Sequence, residues 1–207
     1  IAALAALPNG DVVAGGDFNN TGGAPVNFIA RWESATGQWS GLGLGVNGEV
    51  NAIVPLTNGD LLVGGAFATA GGMTANRIAI WREASSTWSV LGSGMNGIVD
   101  AVAALPNGDL IAGGRFTTAG DAPASYIARW RSSSGGWSTL DSGVSGWVYA
   151  LAVLPDGDLV AGGEFSSAGG QAASRIARWN GATGVWSPLS SGIGGWVSSL
   201  AVLPNGD

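Results

Sequence analysis

The sequence contains no cysteine and no histidine among its 207 residues. Without cysteine there can be no disulfide framework, no zinc ribbon and no thiol nucleophile. Without histidine the chain lacks the commonest general base and a frequent ligand of transition metals. These absences exclude much of enzyme chemistry, and we predict that the chain has no catalytic residue, no cofactor and no metal site.

Positive charge is also scarce. Lysine is absent, and 8 arginines stand against 14 acidic residues, which leaves a formal net charge of −6. Phosphate binding needs a clustered basic surface, and none of the arginines lie in a run. We therefore predict no nucleic-acid partner.

Long apolar stretches are missing, although 46% of the residues are hydrophobic. Glycine, serine and polar turns interrupt each apolar run well before the roughly 20 residues that a membrane helix needs. The composition predicts a folded chain with a buried core and no membrane span in this segment. The sequence starts without a methionine or a signal-type segment and stops inside a turn motif at Asp207, so we interpret it as a piece of a longer protein.

The most prominent feature of the sequence is a repeat of 49 residues that continues without insertion or deletion. Its clearest marker is a turn motif that ends in Gly-Asp. The aspartates of this motif are, in chain order, Asp11, Asp60, Asp109, Asp158 and Asp207. The repeat predicts the boundaries 1–49, 50–98, 99–147 and 148–196, with 197–207 as the first strand of a fifth copy.

Each repeat predicts four short antiparallel strands. In the fourth repeat, the apolar run Tyr149–Leu154 is typical of a buried strand, and the Asp-Gly pair after it predicts a hairpin with a type I′ turn. The second strand, Leu159–Phe165, carries a double glycine, which indicates a bulge or a close approach of neighbouring backbone. A loop at 166–174 leads to a third strand at 175–179 and a fourth at 185–189. We expect no helix, because glycine makes up 37 of the 207 residues.

Tryptophans recur in pairs with a constant spacing, one on the third predicted strand and one on the fourth. Because periodic aromatic residues usually form a core, we predict that these rings fill the wedge between adjacent sheets. The paired residues are Trp32, Trp39, Trp81, Trp88, Trp130, Trp137, Trp179 and Trp186. Four-stranded antiparallel units with a repeated aromatic wedge predict an all-β fold of the β-propeller type.

The unit resembles a kelch repeat. It has an apolar first strand, a second strand that ends in Gly-Gly, and then an aromatic residue spaced from a tryptophan, as with Trp179 and Trp186. It is also similar to kelch-like repeats of bacterial and fungal cell-surface propellers, whose units look like Arg175–Gly181. The resemblance covers the whole chain. It implies rings of six or seven blades, a first strand that lines the central channel, and an extracellular or cell-surface location.

The copy numbers do not match a closed ring. The sequence holds five copies of the first strand but four of each other strand. We favour a longer parent whose ring continues past both ends. An isolated four-bladed ring and an open or oligomerically completed array are the alternatives, since exposed sheet edges associate with other strands.

The recurring aspartates are the first candidates for chemistry, and we predict a structural role for Asp11, Asp60, Asp109 and Asp158. An aspartate beside a glycine turn commonly accepts hydrogen bonds from nearby backbone amides. Calcium would need six to eight oxygen ligands, and the unit has no dense acidic array. The arginines before the third-strand tryptophan are expected to form ion pairs or to stack on aromatic rings.

Contacts with a ligand or partner are expected where the repeats differ from one another. The candidates are Asp17, Arg115 and Glu164, which follow the double glycine, together with Trp147 and Trp196. The two tryptophans precede the first strand, where other repeats have Glu49 and Ile98. Each is either an exposed stacking platform for a sugar or a partner side chain, or a cover for a neighbouring blade.

These observations favour a noncatalytic extracellular or cell-surface scaffold that binds protein or carbohydrate or self-assembles. The alternative is a propeller lyase or hydrolase that uses carboxylates or a bound metal at the channel mouth, because one fold hosts many activities.

Overall fold

The structure is a computed structural model that describes residues 1–203, so the predicted turn at Asp207 lies outside the described residues. The described chain consists of strands and turns without a helix, which confirms the all-β prediction. In these residues, no helix is long and apolar enough to span a membrane. The chain divides into two compact units after Val99, called unit 1 and unit 2 below.

Unit 1 contains two four-stranded antiparallel sheets. In spatial order, the first sheet consists of β1 (Ala3–Ala6), β2 (Val12–Gly15), β5 (Ile29–Glu33) and β6 (Gln38–Gly41), with a hairpin of β3 (Asn20–Thr21) and β4 (Ala24–Pro25) inserted after β2. The second sheet consists of β7 (Val50–Pro55), β8 (Leu61–Gly65), β11 (Ile78–Arg82) and β12 (Thr87–Val90), with a hairpin of β9 (Thr69–Ala70) and β10 (Met73–Thr74) inserted after β8.

Unit 2 repeats this arrangement. Its first sheet consists of β13 (Val99–Ala104), β14 (Leu110–Gly114), β17 (Ile127–Arg131) and β18 (Gly136–Thr139), with the hairpin β15 (Thr118–Ala119) and β16 (Ala122–Pro123). Its second sheet consists of β19 (Trp147–Val153), β20 (Leu159–Glu164), β23 (Ile176–Trp179) and β24 (Trp186–Pro188), with the hairpin β21 (Ser167–Ala168) and β22 (Gln171–Ala172).

The paired tryptophans lie directly opposite each other on the third and fourth strands of every sheet, as Trp81 and Trp88 do. The rings of that pair meet edge to face, with centroids 5.4 Å apart. In each unit, the fourth-strand indole of the second sheet reaches the first sheet: Trp88 Nε1 donates to Leu42 O at 2.9 Å, and Trp186 Nε1 donates to Leu140 O at 3.1 Å. The rings therefore join the sheets within a unit.

Burial of the eight paired tryptophans is not uniform. Trp81, Trp88, Trp179 and Trp186 are buried, at 2–6% exposure, and all four belong to the second sheet of their unit. The partners in the first sheets, Trp32, Trp39, Trp130 and Trp137, are half-buried. None of the eight is exposed, which is consistent with an aromatic core between sheets.

The double glycines leave no room for a side chain, as predicted: the first glycine of a pair faces the next sheet, and the second faces the neighbouring strand of its own sheet. A Cβ on Gly15 would lie 2.4 Å from Val50 Cγ1, and a Cβ on Gly162 would lie 2.4 Å from Val197 Cγ1. At Gly163 the obstacle is backbone, because Trp147 O would lie 2.0 Å away. A side chain at these positions would collide with a strand that has little room to move.

The predicted type I′ turn is wrong. That turn needs positive φ at both central residues, but only the glycine has it, with φ of 87° at Gly10. Gly10 N donates to Leu7 O at 3.0 Å, and Leu7 N donates to Asp11 O at 2.8 Å. This is a three-residue hairpin loop, and Pro8 suits it because its fixed negative φ fits the start of an ordinary type I turn.

Two further expectations need correction. The loop expected at 166–174 contains the hairpin β21–β22, because its small residues can pair in short antiparallel strands. The first strand that the sequence predicts for a fifth repeat, at 197–207, is also not formed in residues 197–203, the described part of that segment. In the other copies this strand pairs with the strand after the turn, whereas here the turn lies outside the described residues. Val197 is nevertheless buried, and its amide donates to Gly163 O at 3.3 Å.

Candidate functional site

The four described turn aspartates join the first hairpin of each sheet to the turn after its third strand. One carboxylate oxygen of each accepts a backbone amide, as in the bond from Ser34 N to Asp11 at 2.9 Å and that from Gly181 N to Asp158 at 2.9 Å. Asp60 and Asp109 accept the equivalent amides of Glu83 and Ser132. This geometry is that of a structural hydrogen-bond acceptor.

The environment of these aspartates favours the charged form. For Asp11 the backbone amide of Ser34 is the main cause of a lowered pKa. At Asp158 burial acts to raise the pKa, but the Gly181 amide and Arg178 outweigh it, so the pKa is again lowered. Such carboxylates remain ionised and hydrogen-bonded near neutral pH, which makes them poor proton donors or acceptors.

A different group of side chains gathers in unit 2, where the second strands of its two sheets end. Arg115 follows β14, and Glu164 is the last residue of β20. Trp147 opens β19 and is paired with Glu164 across the two strands. Tyr149 is left unpaired at a β-bulge between β19 and β20. A bulge changes the direction in which its side chain points. We call Asp100, Arg115, Trp147, Tyr149 and Glu164 the edge cluster.

Arg115 is the centre of the edge cluster. Its Cζ lies 5.2 Å from the ring centroid of Trp147 and 5.7 Å from that of Tyr149. Its Nε and Nη2 donate to the two carboxylate oxygens of Asp100 at 3.0 and 3.3 Å. The cluster thus joins both sheets of unit 2 through one guanidinium that stacks on rings and pairs with a carboxylate.

The rest of the cluster is also held in place. Tyr149 OH donates to Glu164 Oε2 at 3.1 Å, and the rings of Tyr149 and Trp147 meet edge to face with centroids 6.3 Å apart. Burial is the main cause of a raised pKa for Tyr149, and the bond to Glu164 adds to it. Despite these contacts 41% of Trp147 stays exposed. The result is an ordered aromatic surface that solvent and partners can reach.

Not all predicted contact residues join this cluster. Trp196 is 68% exposed and precedes Val197, whose amide binds the carbonyl of Gly163 next to Glu164. Its backbone therefore passes beside the second sheet of unit 2, close to the edge cluster. Asp17, which occupies the position equivalent to Arg115, is exposed and lies in unit 1, outside the edge cluster.

Sequence reasoning missed Asp100 and Tyr149. They occupy the same position of successive repeats, where unit 1 has Asn51, so the position varies as strongly as those that were singled out. The same argument from variation between repeats could therefore have found them. In residues 1–203, no three His, Cys, Asp or Glu side chains come together in a way that could hold a metal ion.

Comparison with known proteins places the chain among propellers. The model of the Rax2 C-terminal β-propeller domain family matches residues 41–156. A second family model, a β-propeller domain of unknown function called DUF5122, matches residues 7–34 and 154–181. No curated protein matches the chain significantly in sequence.

Solved structures agree on the fold. Two structures of the extracellular domain of BT4673 from B. thetaiotaomicron, described as a one-component system in one and a hybrid two-component system in the other, match with TM-scores of 0.64 and 0.65. Each is 10% identical to this chain, and the match covers 99% of this chain and 25% of that chain. The chain thus spans about a quarter of their length, and at this identity the likeness shows the β-propeller fold alone.

Proposed function

The chain belongs to the Rax2 C-terminal β-propeller domain family, and from that premise we propose that it is a noncatalytic extracellular propeller that binds a protein partner through the edge cluster. The observation that carries the proposal is the exposure of Trp147 and Trp196, at 41% and 68%, in a chain whose eight paired tryptophans are buried or half-buried. A propeller does not need these two indoles for its core.

The composition of the edge cluster supports a protein partner. Tryptophan, tyrosine and arginine are the residue types that contribute most to binding energy at protein interfaces. Here they are held by one another, so binding would order few additional side-chain rotamers. The edge cluster contains one arginine and two carboxylates, so its net charge is negative. It therefore suits a partner surface that carries aromatic and some basic residues.

The noncatalytic part of the proposal rests on how the acidic groups are used. The Asp100 carboxylate pairs with Arg115, and Glu164 accepts the Tyr149 hydroxyl, so neither is placed as an unengaged general base. The extracellular part is supported by the structural neighbours, which are extracellular domains. The kelch-like classification and self-assembly stay predictions, since the matching family models describe other propellers.

Photo-crosslinking from position 147 tests the proposal. A photoreactive phenylalanine analogue at Trp147 would capture surface proteins of the source cells, and the captured protein would then be purified and titrated against the chain. We expect Trp147→Ala and Arg115→Ala each to weaken binding by about tenfold or more, the effect of losing an interface hot spot. Leu44→Ala, which removes an exposed apolar side chain of unit 1, should leave binding unchanged.

Two outcomes would contradict the proposal. One is equal affinity of the purified partner for the wild type and for the Trp147→Ala, Trp196→Ala double variant. The other is saturable binding of a neutral oligosaccharide that the same double variant abolishes, which would assign the surface to carbohydrate.

A further inference from the structure

A second feature lies in unit 1, where β2 leads into the hairpin of β3 and β4. The chain enters this hairpin through the tripeptide Asn19-Asn20-Thr21. An asparagine followed two positions later by serine or threonine, with a residue other than proline between them, is the acceptor motif for N-linked glycans. Among all asparagines of the chain, only Asn19 has such a neighbour. A motif of three residues also arises by chance, so its amide must be shown to be available.

The Asn19 side chain is exposed and takes no part in the fold. The backbone carbonyl of Asn19 accepts a hydrogen bond from Val26 N at 3.0 Å, but its side-chain amide makes none within residues 1–203. Nine other asparagines form side-chain hydrogen bonds, namely Asn9, Asn20, Asn27, Asn47, Asn51, Asn58, Asn76, Asn107 and Asn180. The fold therefore engages those amides and leaves the amide of Asn19 to solvent.

The position of Asn19 is a surface position of the repeat and has room around it. Its equivalents in the other repeats are also exposed, at Ala68, Thr117 and Ser166. The backbone beyond the motif is open as well, because a Cβ on Gly22 or Gly23 would meet nothing within 4 Å except, for the equivalent hairpins, side chains of other loops; at these two glycines themselves no atom is that close. A bulky, hydrated group on Asn19 therefore projects into solvent.

Thr21, the third residue of the motif, is not explained by the fold. Its equivalents in the other repeats are alanines buried at 0–1% exposure, namely Ala70, Ala119 and Ala168. Thr21 Oγ1 is buried too, and it has no hydrogen-bond partner within residues 1–203. A buried hydroxyl without a partner costs free energy, so an alanine would suit the hairpin at least as well. The acceptor motif, by contrast, requires the hydroxyl.

We propose that Asn19 carries an N-linked glycan, which rests on the extracellular part of the proposed function because this modification belongs to secreted chains. The donor is an oligosaccharide on a polyprenyl diphosphate. Asn19 Nδ2 attacks the anomeric carbon of the first sugar, so a C–N bond forms and the bond from that carbon to the diphosphate oxygen breaks. The polyprenyl diphosphate leaves, and a base of the transferase takes one proton from the nitrogen. Since Thr21 Oγ1 is buried in the folded hairpin, the transfer precedes folding of this segment.

Peptide mass spectrometry of the chain purified from the source cells tests the inference, and a surface-labelling reagent that cannot enter the cells shows where the chain resides. The peptide that contains Asn19 should be heavier than its sequence by the mass of a glycan, and fragmentation should place that mass on Asn19. Asn19→Gln and Thr21→Ala, expressed in the same cells, should both lose the glycan. Thr21→Ser keeps the hydroxyl and should retain it.

Asn20→Gln is the matched control. It changes the neighbouring exposed amide but leaves the motif intact, so the glycan should remain on Asn19. Urea denaturation of chains produced without glycan is the second readout. Thr21→Ala should be at least as stable as the wild type, because alanine occupies this position in the other repeats. Loss of the glycan from Thr21→Ala then reports the motif and not a folding defect.

The possible failures are distinguishable. A chain that is labelled at the cell surface but carries no added mass on Asn19 would overturn this inference and leave the proposed function intact. A chain found only inside the cells, without the added mass, would contradict both. Added mass that fragmentation places on a serine or threonine, or that persists in Thr21→Ala, would overturn the assignment to Asn19 and its motif.

Discussion

Arg31 in unit 1 and Arg129 in unit 2 occupy the same position of the repeat, yet they have different partners. Arg31 forms a two-bond pair with Glu83, whereas Arg129 stacks over Trp179 and bonds to the turn aspartate Asp109. The difference follows from one residue, because Gly181 carries no side chain where unit 1 has Glu83. The comparison shows that the repeat preserves backbone and core while a single variable position changes the partners of a neighbouring arginine.

The largest expected effect tests what the units share. Gly65→Ala and Gly163→Ala would each place a Cβ about 2 Å from a carbonyl oxygen at the start of the first strand, Glu49 O just before β7 and Trp147 O in β19. Because backbone has to move, we expect each change to lower the free energy of unfolding by about 3 kcal/mol or more. Urea denaturation measures both.

The control for this prediction is Gly136→Ala, where a Cβ would meet no atom within 4 Å. Its cost should stay within about 0.5 kcal/mol. If Gly65→Ala kept the wild-type free energy of unfolding while Gly163→Ala lowered it, the two units would not be equivalent at this position.

The next effect separates the two buried indoles. Trp81→Phe and Trp179→Phe remove similar ring area, but within residues 1–203 only the first breaks a hydrogen bond, that to Glu83. We expect Trp81→Phe to cost about 1 kcal/mol more than Trp179→Phe in urea denaturation, since Glu83 is partly exposed and the bond is weakened by solvent. Equal costs would mean that the Trp179 N–H has an acceptor after all.

A smaller effect concerns acid. The hydrogen bonds from Arg31 are the main cause of a lowered Glu83 pKa, below the ordinary value of 4.5. A lowered folded pKa contributes stability above the unfolded pKa, and that stability is lost as pH falls through the folded pKa. Glu83→Gln should therefore lose less stability than the wild type between about pH 7 and about pH 3.

The matched control is a change that keeps the Arg31–Glu83 pair. Thr74→Ala, on the exposed strand β10 of unit 1, should retain the wild-type pH dependence. The turn aspartates also have lowered pKa values, so part of the acid sensitivity will remain in every variant. An unchanged slope in Glu83→Gln would show that the pair does not contribute.

The smallest effect is a change at a single indole N–H. Glu83→Gly makes this position of unit 1 like that of unit 2 by removing the carboxylate from Trp81 Nε1 and Arg31. In a ¹⁵N-correlated NMR spectrum, the Trp81 indole peak should then shift, because its N–H loses the Glu83 acceptor. A Trp81 peak that stays fixed would contradict the hydrogen bond from this indole to Glu83.

Much of the fold was predictable because a period of 49 residues constrains every copy at once. The spacing of the tryptophan pairs predicted their place on neighbouring strands, and the double glycines predicted close backbone contact. The turn type was mispredicted because the Asn-Gly signal was considered without the proline before it. The short hairpins such as β21–β22 were missed because two-residue strands have no periodicity to detect.

The edge cluster was predictable only in part. Variation between repeats singled out Arg115, Trp147 and Glu164. It did not show that one guanidinium would bring these side chains together. Asp100 and Arg115 come from one sheet, whereas Trp147 and Tyr149 come from the next. Their meeting depends on sheet packing and on a bulge at Tyr149, and neither is encoded in a local pattern.

The sequence by itself determined the strand order within a repeat, the placement of the indole pairs and the positions where side chains cannot fit. These depend on local spacing and on residue size, which are properties of the chain alone. The tertiary structure decided which carboxylate each arginine binds, which arginine stacks on a ring, and which buried indole has no acceptor within residues 1–203. Those outcomes depend on distances between atoms of different sheets, and a repeat of residue types does not specify them.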